Sequence, residues 1–112
     1  GCTAKYALPL EICGEPTADF SITLDGKLEL RFDKAKQLFT MKFSDEKYGC
    51  GRGTRNAVIE SVNSIRLIAD MSSIEVYLNG GETVMSTRFY PDGGCAELEI
   101  KGFEAQVWDF RI

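Results

Sequence analysis

The 112-residue chain is 44% hydrophobic and 27% charged, a globular balance that argues against disorder. At this length one domain with a sizeable core is expected, spanning residues 1–112. Thirteen basic and seventeen acidic side chains leave a net charge of -4, which disfavours a nucleic-acid grip, and no apolar run reaches the roughly 20 residues that cross a bilayer.

In chain order, the first strand-like run is flanked by Cys2 and Cys13. Period-two alternation then recurs: Leu28, Leu30 and Phe32, then Phe39, Met41 and Phe43, then Ile74, Val76 and Leu78, then Ala96, Leu98 and Ile100. Successive side chains of a strand point to opposite faces, so this pattern predicts half-buried strands. Asp25-Gly26 between residues 20–24 and 27–32 is a hairpin signal. Residues 44–55, rich in glycine, read as the longest loop, and 56–60 as a short strand. Asn79-Gly80-Gly81 and Pro91-Asp92-Gly93-Gly94 supply further turns, Lys101-Gly102 divides the last two runs, and 103–112 closes the chain. No segment holds a 3.6-residue apolar period. About ten short strands at regular spacing predict an all-β, antiparallel two-sheet β-sandwich.

There is no histidine, which removes Ser-His-Asp and Cys-His catalysis and His-ligated zinc. Cys2, Cys13, Cys50 and Cys95 form no Cys-x-x-Cys motif and leave three pairings open. With no leader segment visible, free structural thiols are expected, in the cytoplasm, with secretion as the alternative. Gly1 in place of Met makes a processed or excised piece the expectation.

Asp70 and Glu75 are the obvious carboxylates for glycosidic chemistry, which needs two of them across a sugar and one with a raised pKa. They flank one tight turn, so a structural role is expected, with Asp70 bonding backbone N–H groups through Ser72 or Ser73 and Glu75 solvated. Gly49-Cys50-Gly51-Arg52-Gly53 resembles a phosphate cradle, but no helix follows, so a plain loop is expected. Arg52 and Arg55 remain candidates for a sugar phosphate or an acidic neighbour. Trp108, Tyr77 and Tyr90 are candidate sugar platforms. Trp108, between Val107 and Phe110, is expected to pack in the core or at an interface instead. In 107–112 Trp108, Phe110 and Ile112 on one parity and Val107 on the other are apolar, so something outside the chain is expected to cover one face of the last strand.

One stretch is specific: Ile65-Arg66-Leu67-Ile68-Ala69-Asp70-Met71-Ser72-Ser73-Ile74-Glu75-Val76-Tyr77-Leu78-Asn79-Gly80-Gly81-Glu82, continuing through Thr83-Val84-Met85-Ser86-Thr87-Arg88-Phe89-Tyr90-Pro91. It resembles the C-terminal β-sandwich of glycoside hydrolase family 32, the invertases, sucrose-6-phosphate hydrolases, levanases and inulinases. That family runs Asp-Arg-Ser-Ser, Val-Glu-Val-Phe, an Asn-Asp-Gly-Glu turn, and a strand ending near Tyr-Pro. Val107-Trp108-Asp109-Phe110 is similar to its closing strand. Met71 stands where the family has Arg, Gly80-Gly81 replaces Asp-Gly, and Ser44-Asp45-Glu46 follows 39–43 where many members show Asp-Arg.

The resemblance implies a non-catalytic half. The family's nucleophile, stabiliser and acid lie in Trp-Met-Asn-Asp-Pro, Arg-Asp-Pro and Glu-Cys motifs of an N-terminal five-bladed β-propeller, and none of these occurs here. It implies a parent that hydrolyses a β-fructofuranosidic bond of sucrose, its 6-phosphate or a fructan without cofactor or metal. The propeller would be the partner, stabilised and oriented by this module, with homodimerisation a further role. The contrasting expectation is a lectin-like module that holds fructan or another glycan; an independent enzyme is the least favoured.

Overall fold

The computed structural model describes residues 2–43, 54–89 and 95–109. Among the described residues there are eleven strands: β1 (Cys2–Ala7), β2 (Leu10–Gly14), β3 (Phe20–Leu24), β4 (Leu28–Asp33), β5 (Leu38–Phe43), β6 (Thr54–Val58), β7 (Ile65–Ala69), β8 (Ser73–Leu78), β9 (Thr83–Arg88), β10 (Cys95–Lys101) and β11 (Ala105–Asp109). They form a six-stranded sheet in the order β1-β10-β3-β4-β5-β6 and a five-stranded sheet in the order β11-β2-β7-β8-β9. Every pairing is antiparallel. The chain is thus the expected all-β sandwich.

The alternation places the core. Ile22 and Leu24 on β3, Leu28, Leu30 and Phe32 on β4, and Phe39 and Met41 on β5 face Leu10 and Ile12, Leu67, and Ile74, Val76 and Leu78 from the other sheet; all are buried. Phe20 lies near Phe32 and Phe39, with ring centroids 6.0 and 6.4 Å away, and meets Phe103 edge-on at 5.2 Å. The six-stranded sheet turns charged side chains outward, including ion pairs of Arg31 with Glu29 and Lys101 with Glu99. Such exposed pairs solvate a face more than they stabilise it.

The β3–β4 turn fits its sequence. Asp25 and Gly26 have φ of 54° and 63°, and the Lys27 N–H donates to the Leu24 carbonyl at 2.9 Å. Two positive φ values match the twist of the flanking strands. The turn is also pinned sideways: the Asp25 N–H donates to the Glu97 carbonyl at 2.8 Å, and the Glu97 N–H donates to the Asp25 carboxylate at 2.7 Å.

Three boundaries differ from expectation. The first run is two strands, β1 and β2, that lie in different sheets. Thr54 and Arg55, expected in the long loop, open β6, and the strand expected at 56–60 ends at Val58. The rest of that loop, from 44 to 53, and the Pro91-Asp92-Gly93-Gly94 turn lie outside the described residues. Arg55 pairs in register with the inward residue Met41, and its guanidinium donates to the Ser86 carbonyl on β9. This contact joins the two sheets along one open side, and an inward-pointing charge disfavours edge-to-edge pairing of β6 with another chain.

Candidate functional site

The outer face of the five-stranded sheet differs from the charged outer face opposite. Because Leu10 and Ile12 point into the core, Glu11 and Cys13 of β2 point out. Register then sets two rows across the sheet. One runs Trp108, Glu11, Ile68, Glu75 and Ser86; the other runs Gln106, Cys13, Arg66, Tyr77 and Val84. Trp108 is 47% exposed and Val84 53% exposed.

A forked ion pair occupies the middle. Arg66 Nε–H donates to Glu11 Oε1 at 3.2 Å and Nη2–H to Glu11 Oε2 at 3.3 Å. Cys13 Sγ–H donates to the same Oε1 at 3.3 Å. Beside the fork, Tyr77 donates its hydroxyl to Glu75 Oε2 at 2.8 Å. Two parallel N–H···O bonds fix the guanidinium plane as well as its position.

These contacts set the protonation of the group. The hydrogen bond from Arg66, helped by that from Cys13, holds the Glu11 carboxyl below its usual range. Burial first, and then the neighbouring Glu11 carboxylate, push the Cys13 thiol up, so it stays protonated and unreactive. The bond to Glu75 raises the Tyr77 hydroxyl. At the end of the face formed by β2, β7, β8 and β11 lies an open depression of about 660 Å³, lined by Cys13, Glu15, Arg66, Tyr77, Glu104 and Gln106 among others.

The fold brings Trp108 and Tyr77 to one face, three strand spacings apart across the sheet, or roughly 14 Å, and two residues apart along the strands. Arg55 lies elsewhere, on β6, bonded to Ser86. Arg52, Tyr90 and Cys50 are outside the described residues. Trp108 does not pack into the core: Val107 takes the inward position opposite Ile12, which sends the indole outward opposite Glu11. Asp70 accepts the Met71 N–H at 2.7 Å, where Ser72 or Ser73 was expected, and its own N–H donates to the Ser73 carbonyl at 2.8 Å. Cys13 and Cys95 are free thiols. Glu11, Cys13, Arg66 and Gln106 carry no local sequence signal, because β2 meets β7 only through a pairing 55 residues long in sequence.

The architecture defines an antiparallel two-sheet β-sandwich with one polar, aromatic outer face. The family profile "Glycosyl hydrolases family 32 C terminal" matches residues 15–109, and the chain belongs to that family. A sucrose-6-phosphate hydrolase from Bacillus subtilis (strain 168) is 31% identical over 81 residues, 70% of this chain and 16% of that protein. The chain therefore spans about one-sixth of that relative. Among solved structures, exo-inulinase from Aspergillus awamori superposes with a TM-score of 0.74 at 17% identity, covering 99% of this chain and 26% of that one. Sheep galectin-11 superposes with a TM-score of 0.64 at 8% identity, covering 96% of both chains. These two superpositions establish the fold alone.

Proposed function

We propose that residues 1–112 form a non-catalytic module of a longer β-fructofuranosidase-type hydrolase, and that it stabilises and orients a five-bladed catalytic propeller. The family match, and relatives named for hydrolysing sucrose 6-phosphate and inulin, support the parent activity. The observation that carries the non-catalytic reading is the way the carboxylates are used. Glycosidic catalysis needs an acid with a raised pKa facing a second carboxylate across the sugar. Glu11 is instead held ionised by Arg66, Asp70 accepts from its own turn, and Glu75 accepts from Tyr77.

The test compares the full-length parent, the propeller alone and this chain alone. The chain alone should release no fructose from sucrose, sucrose 6-phosphate or inulin, and removing it should lower the melting midpoint of the propeller. Turnover by the isolated chain, or an unchanged midpoint after its removal, would overturn the reading.

A further inference from the structure

Three features of the outer face of the five-stranded sheet belong together. Trp108 presents a half-exposed indole on the edge strand β11. The Arg66–Glu11 fork, two rigid planar groups, lies beside it, with Tyr77 on the far side. A depression of about 660 Å³ opens next to the fork, within the usual size of a small-molecule site.

Sugars need this combination. Their C–H faces are apolar and stack on aromatic rings, while their hydroxyls both donate and accept. Glu11 and Glu75 accept, Arg66 donates, and Gln106 does both. The roughly 14 Å across the sheet from Trp108 to Tyr77, with a further two-residue offset along the strands, exceeds one sugar ring, so the face fits an oligosaccharide.

Charge sets the class further. Glu11, Glu15, Glu75 and Glu104 outnumber Arg66, which is already bonded to Glu11, and Arg88, which shares the outer face on the edge strand β9. A phosphate or sulfate would therefore meet net negative charge beside the depression. We propose that the outer face of the five-stranded sheet is a binding site for a neutral oligosaccharide, with Trp108 as the stacking platform and the Arg66–Glu11 fork as the hydrogen-bonding anchor. The site excludes phosphorylated sugars. The proposal stands on this face alone and does not depend on a propeller partner.

The test is an NMR titration of the 112-residue chain with 1-kestose, levantriose, maltotriose and cellotriose, and with sucrose against sucrose 6-phosphate. At least one neutral trisaccharide should shift the Trp108 indole N–H and the amides of Arg66 and Tyr77. Trp108→Ala should weaken that binding about tenfold or more while the spectrum keeps its native dispersion, and Trp108→Phe should keep it within about threefold. Sucrose 6-phosphate should bind more weakly than sucrose. Silence from all four trisaccharides overturns the proposal. So do shifts confined to another face, unchanged affinity in Trp108→Ala, or sucrose 6-phosphate binding as well as sucrose.

Discussion

Glu11 lies between two donors, and both favour its ionised form. An unfolded chain has neither donor, and its glutamates titrate near 4.5. The folded value is the lower one, so this stabilisation is present above 4.5 and is lost as pH falls through the folded value. Glu11→Gln removes the ionisation altogether. The melting gap between the native chain and this variant should be wide near about pH 6 and narrow toward about pH 3. A gap of equal size at both values would show that the fork contributes nothing through its charge. Tyr77 has the opposite sign: its raised value stabilises the fold below 10.0 and ceases to do so as pH rises through it. Residue parity explains what the sequence left hidden here. In 107–112 the apolar Trp108, Phe110 and Ile112 share one parity against Val107, Asp109 and Arg111, so alternation points the indole toward the core. Pairing of Val107 with Ile12 and of Trp108 with Glu11 reverses that face.

At the scale of elements, the β8–β9 turn does more than reverse the chain. Asn79 has φ of 54°, and Gly80 and Gly81 follow at 70° and 97°. The Asn79 side chain accepts the Asn63 N–H at 2.7 Å and the Ser64 N–H at 3.4 Å, and donates to the Ser61 carbonyl at 2.7 Å. The turn thus clamps the crossover from β6 to β7. Asn79→Ala loses three hydrogen bonds and should lower stability by about 2 kcal/mol in a denaturant titration. Gly80→Val and Gly81→Val meet no neighbour but must adopt a left-handed backbone, at a cost of at least about 1 kcal/mol. Unchanged midpoints in all three variants would count against this turn. The meanders β3-β4-β5 and β7-β8-β9 were legible because short turns of recognisable chemistry join strands that pair as neighbours. The clamp was not, since nothing local to Asn79 announces a partner 16 residues upstream.

At the scale of the molecule, the sandwich is closed by its last strands. β10 lies between β1 and β3, and β11 borders β2, although 90 residues separate Leu98 on β10 from Leu8 after β1. These long-range pairings follow from closure of the whole core, so no local signal in the sequence could order them. A chain cut after residue 94 loses both strands and leaves Leu24 and Ile22 without their β10 partners. It should show no cooperative melt by circular dichroism; a sharp transition would mean that the two meanders suffice. The same placement of β10 imposes an order in time. A ribosome releases β1 before its neighbour β10, which follows only after about ninety further residues, a wait of roughly 5–20 s at ordinary rates of synthesis. For that interval the newborn chain carries two vacant lanes, along β1 and β3, that any extended segment nearby could enter. Lys5 on β1, which later faces Glu97, is then a gatekeeper before it is a cross-strand partner.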